Sequence, residues 1–205
     1  VTQTQTVDTI GDMVLWPTWS PDGEKIVYGS SGNVLPSLRL RQVVDGQPKK
    51  DSQDRRLMNG QIERSGGFSW TPDAQEVVYG KMDYRQGSLT SDLYMLHLQS
   101  GKQRRLTHGY RAYAPSVSPN GEWVAFIARR EDKSRILLAA LDDVSPMVLW
   151  SPETDERSSN QPVQALSLAW SPSGDALAFV GRGYSGEVDL FLMPLAGQDV
   201  PVPTE

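Results

Sequence analysis

Apolar and polar residues alternate along this chain only in short runs, and four of those runs follow the same kind of turn. The four segments are Pro17-Thr18-Trp19-Ser20-Pro21-Asp22-Gly23-Glu24-Lys25-Ile26-Val27-Tyr28, Phe68-Ser69-Trp70-Thr71-Pro72-Asp73-Ala74-Gln75-Glu76-Val77-Val78-Tyr79, Pro115-Ser116-Val117-Ser118-Pro119-Asn120-Gly121-Glu122-Trp123-Val124-Ala125-Phe126 and Leu168-Ala169-Trp170-Ser171-Pro172-Ser173-Gly174-Asp175-Ala176-Leu177-Ala178-Phe179. Their prolines follow one another at 51, 47 and 53 residues. A period of that size suits one four-stranded propeller blade per repeat. Pro presets φ for the first central position of a type I turn, Asp, Asn or Ser is tolerated at the second, and Gly supplies the positive φ that restarts the hairpin. Ala74 stands where that Gly belongs in the second copy, which predicts strain of about 1 kcal/mol or a slightly altered turn.

Each repeat then offers a third strand: Ser37–Arg41, Asp92–Leu98, Arg135–Leu141 and Asp189–Met193. Weaker fourth strands read Arg55–Met58, Gln103–Thr107 and Pro146–Trp150. The last repeat has only Val200-Pro201-Val202-Pro203, whose prolines cannot donate to a ladder. Thr4–Asp8 is an unassigned strand. It would either close the last blade or form the outer strand of a preceding one. The expected fold is therefore all-β, a β-propeller of about four four-stranded antiparallel blades, part of a larger propeller. Residues 1–205 form one domain with blades near 14–60, 66–109, 112–151 and 165–205 and a possible closing strand at 1–10.

Composition agrees with many short elements: 18 Gly and 14 Pro serve the turns, and 205 residues suffice for a sizeable core. A formal charge of −5 argues against a nucleic-acid partner, which needs a basic footprint. The absence of Cys excludes disulfides, thiolate metal sites and cysteine nucleophiles. No run approaches the roughly 20 apolar residues of a membrane span, so no direct membrane insertion is expected. The start at Val1-Thr2-Gln3-Thr4, without Met, reads as a processed or excised piece.

The repeats resemble the WD40-like units of TolB-type propellers, which carry a W-S-P-D-G hairpin, an I/V-A-F strand, a D-L-Y-V strand and an R-L-T ending. Trp19–Gly23 matches the turn, Asp92-Leu93-Tyr94 with Arg105-Leu106-Thr107 the later strands of the second unit, and Asp189-Leu190-Phe191 those of the fourth. The resemblance covers about residues 14 to 195. It implies a non-enzymatic scaffold that binds a protein or peptide in the bacterial envelope, with a periplasmic location. It equally allows the substrate-gating propeller of a prolyl-oligopeptidase-like serine peptidase, or the sensor domain of a membrane-bound regulator. Further blades or domains of the same polypeptide are expected partners.

Catalytic chemistry is sparse. There are two histidines, His97 and His108, and no G-x-S-x-G; Gly183-Tyr184-Ser185-Gly186 lacks the spacing. The acidic neighbours Asp22/Glu24, Asp142/Asp143 and Glu153/Asp155/Glu156 do not follow the calcium-loop pattern. No catalytic, cofactor or metal residue is therefore assigned. Trp19, Trp70 and Trp170 recur two residues before Pro, which points to packing between blades. Blade topology puts all four Pro turns on one side of the disc. The opposite side collects Tyr84, Arg85, Tyr110, Arg111, Tyr113, Arg129, Arg130, Arg182 and Tyr184. Tyr and Arg supply contact area and directional hydrogen bonds at binding hot spots, so this face is the expected partner surface.

Overall fold

The computed structural model describes residues 13–31, 36–49, 55–59, 62–63, 66–85, 87–130, 133–142, 145–152 and 162–195. They form sixteen strands and no helix. Blade one consists of β1 (Met13–Trp19), β2 (Lys25–Ser31), β3 (Ser37–Val44), the two-residue β4 (Gln47–Pro48) and β5 (Arg55–Asn59). Blade two holds β6 (Phe68–Trp70), β7 (Glu76–Arg85), β8 (Ser88–His97) and β9 (Gln103–Arg105). Blade three holds β10 (Ala112–Val117), β11 (Trp123–Arg130), β12 (Lys133–Ala140) and β13 (Met147–Trp150). Blade four holds β14 (Gln164–Trp170), β15 (Ala176–Arg182) and β16 (Val188–Pro194). Within each sheet the strands pair antiparallel in chain order, apart from the short β4 hairpin beside the β3–β5 pairing. Four such sheets about a common axis make the propeller expected from the repeats. The strand candidates Thr4–Asp8 and Val200–Pro203 lie outside the described residues.

The repeated turn is held by its own side chains. The Ser20 hydroxyl donates to Asp22, and Thr71 and Ser118 donate likewise to Asp73 and Asn120 at 2.6 Å. Each hydroxyl oxygen in turn accepts the N–H five residues on, at 2.9 Å from Lys25, 3.1 Å from Glu76 and 3.0 Å from Trp123. In blade four Ser171 and Ser173 both donate to Asp175, so the acidic partner has moved two positions along. The position after the Asp, Asn or Ser needs a left-handed backbone: φ is 71° at Gly23, 75° at Gly121 and 77° at Gly174. Ala74 takes φ 55° at the same place, the strain its sequence position predicted.

The core lies between the sheets. Because side chains alternate across a strand, each central blade feeds two layers. Val77, Tyr79 and Leu96 pack toward blade one, while Val78, Leu93 and Met95 pack toward blade three. Ala125, Ile127, Ile136 and Leu138 of blade three meet Leu177 and Phe179 of blade four. The first strands β1, β6, β10 and β14 touch in succession along the axis. Among the described residues no comparable interface joins blade four to blade one.

Two of the recurring tryptophans staple neighbouring blades. The Trp70 indole N–H donates to the Thr18 carbonyl at 3.3 Å, and the Trp170 indole N–H to the Ser116 carbonyl at 2.9 Å. Blade three has Val117 in that place, and there the backbone N–H donates to Ser69 Oγ at 2.9 Å. Close approach also selects glycine: a Cβ on Gly66 would lie 2.5 Å from that of Ala114 on β10.

Candidate functional site

The β7–β8, β11–β12 and β15–β16 hairpins and the blade-to-blade crossings open on the side opposite the Pro turns, as antiparallel order requires. The crossing from blade two to blade three is described throughout, and a buried carboxylate anchors it. Asp92 on β8 is fully buried and collects donors from that crossing. Its carboxylate pairs with the Arg105 guanidinium and accepts from the Thr107 hydroxyl at 2.8 Å. It also accepts the Gly109 N–H at 2.9 Å and the Tyr110 N–H at 3.2 Å. A carboxylate taken out of water is tolerated only with this kind of saturation. The consequence is a rigid loop carrying Tyr110 and Arg111.

Tyr110 stands edge-on to Phe126 with centroids 6.3 Å apart. Arg111 is held in the left-handed region at φ 51°, and its carbonyl accepts the Arg129 N–H at 3.3 Å. The Arg129 guanidinium lies 5.2 Å from the Tyr113 ring centre. Tyr110, Arg111 and Arg135 line a groove of about 570 Å³ together with Leu137 and Val148, and Arg129 borders it from β11 while its guanidinium packs on Tyr113. Apolar side chains beside guanidinium and phenol groups can take an extended segment bearing carboxylates.

The expected face divides in the structure. Tyr110, Arg111 and Arg129 are brought together at this groove. Tyr84, at the β7–β8 hairpin, and Tyr184, in the β15–β16 loop, are exposed on the neighbouring blades. Arg85 ends β7 opposite Ser88, and the exposed Arg182 ends β15 opposite Val188. Tyr113 is a correction. It is buried, its hydroxyl donates to the Ala165 carbonyl at 3.0 Å, and burial raises its pKa. It ties blade three to blade four and presents nothing to a partner. Arg135 and Asp92 were not singled out for the site by sequence. The signal for Asp92 was its spacing to Arg105-Leu106-Thr107; Arg135 had none beyond an apolar strand.

His97 sits at a strand end, its Nδ1 3.2 Å from the Ser100 backbone N. Among the described residues no group of three or more His, Asp or Glu could hold a metal ion, and no helix is long and apolar enough to cross a membrane.

The fold is that of a TolB-type β-propeller. No family model matches the chain. Over 188 residues it is 29% identical to an uncharacterized protein of Agrobacterium fabrum, covering 85% of this chain and 52% of that one. It therefore spans about half the length of this relative. Dipeptidyl-peptidase 5 of Porphyromonas gingivalis is 35% identical over 72 residues, 32% of this chain and 10% of the peptidase. Among solved structures, TolB from Acinetobacter baumannii superposes with a TM-score of 0.74 at 19% identity, over 95% of this chain and 44% of that chain. A prolyl endopeptidase structure superposes at 0.61 with 14% identity, over 92% of this chain and 29% of that one. At these identities the solved structures establish the fold alone.

Proposed function

We propose that the chain is a non-enzymatic propeller scaffold that binds a protein or peptide through its hairpin-and-crossing face. The observation that carries this reading is the groove that Tyr110, Arg111 and Arg135 line together with Leu137 and Val148. Its mechanism is rigid presentation. Asp92 fixes the crossing in advance, so little loop ordering is left to oppose association. The guanidinium groups favour a segment carrying Asp or Glu. A periplasmic location in the bacterial envelope belongs to the same proposal and rests on the resemblance to TolB-type repeats.

A peptide array with acidic and neutral heptamers tests it, comparing the wild-type chain with Tyr84→Ala/Arg111→Asn/Tyr184→Ala. Asn is chosen at 111 because it tolerates the left-handed backbone there. The variant should melt with the wild type and lose the acidic peptides that the wild type retains. Unchanged binding rejects the face.

A second reading is favoured by the likeness to dipeptidyl-peptidase 5 and to a prolyl endopeptidase: a substrate-gating propeller beside a separate serine hydrolase domain. A G-x-S-x-G elbow with later Asp and His in the same polypeptide would select it.

A further inference from the structure

The outer edges of the blades are not guarded alike. The fourth strands β5 and β9 read Arg55-Arg56-Leu57-Met58-Asn59 and Gln103-Arg104-Arg105, and Arg55, Arg56, Gln103 and Arg104 are exposed. Charged side chains of this kind keep a sheet edge, with its free N–H and C=O groups, from pairing with another chain. The fourth strand of blade three, β13, reads Met147-Val148-Leu149-Trp150 and carries no charge. It ends its sheet: β12 lies on one side, and among the described residues no strand pairs with the other. Met147 and Val148 stand 36% and 52% exposed at its start.

The same strand borders the groove. Val148 pairs with Leu137 of β12, and both line it together with Arg135, two residues earlier on β12 and half-buried. Among the described residues neither Arg135 nor Arg111 makes an ion pair. Neighbouring strands lie about 4.8 Å apart, so a strand added beyond β13 would run about 10 Å from β12. An arginine and a glutamate side chain reaching toward each other span that gap.

We infer that the groove takes an extended peptide segment that adds to the open edge of β13 as a further strand of blade three, with its Asp or Glu side chains on Arg135 and Arg111. This rests on the binding role proposed for the groove and specifies how the ligand is held there. Main-chain hydrogen bonds to β13 supply affinity and fix the register. Alternation then puts every second side chain on the groove side, where the guanidinium groups donate to carboxylates. The others lie on the side of Met147, which pairs with Leu138 of the blade-four interface. Pro146 has no N–H and marks one end of the paired stretch.

The probe is the end-blocked heptamer Val-Glu-Val-Glu-Val-Glu-Val, with two further versions N-methylated at every valine or at every glutamate. Alternate N–H groups of a strand point to the same edge, so only one of the two versions can keep its bonds to β13. Fluorescence anisotropy on the full chain should show one version binding like the parent and the other at least about 10-fold more weakly, since several backbone bonds are lost together. Amide exchange within Met147–Trp150 should slow in the complex with the parent peptide. Arg135→Gln should weaken the parent peptide by about 10-fold and leave a glutamine-for-glutamate version unaffected. Equal binding by the two methylated versions overturns strand addition, and if the parent binds, the acidic preference of the groove survives. A parent peptide that does not bind overturns the groove's role and the strand addition together. Protection of the β13 amides that appears without peptide as protein concentration rises also overturns it, because a second copy then occupies the edge.

Discussion

Asp92→Asn should be the most informative single change in the molecule. The wild-type carboxylate is fully buried and satisfies the Arg105 guanidinium, the Thr107 hydroxyl and the N–H groups of Gly109 and Tyr110. Asparagine keeps the volume, but removes the charge and turns an N–H donor toward a cluster of donors. Hydrogen bonds to a charged group contribute about 1.5–3 kcal/mol each, and removing one partner of a buried ion pair costs about 3–5 kcal/mol. These overlap because all the donors share one carboxylate, so the expected loss is about 3–5 kcal/mol. Urea unfolding followed by circular dichroism measures it, and amide exchange at Gly109 and Tyr110 should accelerate in step. The internal control is Asp189→Asn, the equivalent position on blade four, which is exposed and should change stability by less than about 0.5 kcal/mol. A loss below about 1 kcal/mol at Asp92, or equal losses at both sites, would refute the argument that this carboxylate builds the crossing.

Two further outcomes follow from the turns and staples. Trp170→Phe removes the indole donor to Ser116 while keeping an aromatic ring, and should cost about 1 kcal/mol or more in thermal unfolding; Trp19→Phe should cost less than about 0.5. Equal effects would show that the indole bond is irrelevant. Burial alone would raise the Asp22 carboxyl, but bonds from Lys25, Ser20 and the Glu24 N–H outweigh it and hold the group at about 2 against an ordinary 3.8. A folded pKa below the unfolded one stabilises above pH 3.8 and loses that contribution as pH falls toward 2. Asp22→Asn should therefore flatten the stability profile across that acid window, whereas an unaltered slope would mean that the turn carboxylate is not linked to folding.

The blade count and phase were legible because a tight turn is a local object. Ser20, Pro21, Asp22 and Gly23 satisfy one another within a few residues, and no distant contact is needed to recognise them. Local signals also placed the third strands and the role of Trp70 and Trp170. Tyr113 shows where such reading ends. It lies only two residues from Arg111 and has the same chemistry as Tyr110. The register shift between Tyr113 and Ser116 marks an irregular stretch of β10, and Tyr113 itself turns its hydroxyl into blade four.

What the sequence determined by itself is the repeat: its turn chemistry, the side of the disc on which each loop emerges, and the positions that alternate between sheet faces. Tertiary structure alone decided which of those positions are covered. Leu138 and Leu192 occupy the same place in their blades, yet one is buried and the other faces water, because cover comes from the neighbouring sheet. The groove is of the same kind. Tyr110 and Arg135 sit on a crossing and a strand far apart in sequence, and they line one groove where Asp92 of the neighbouring blade holds the crossing.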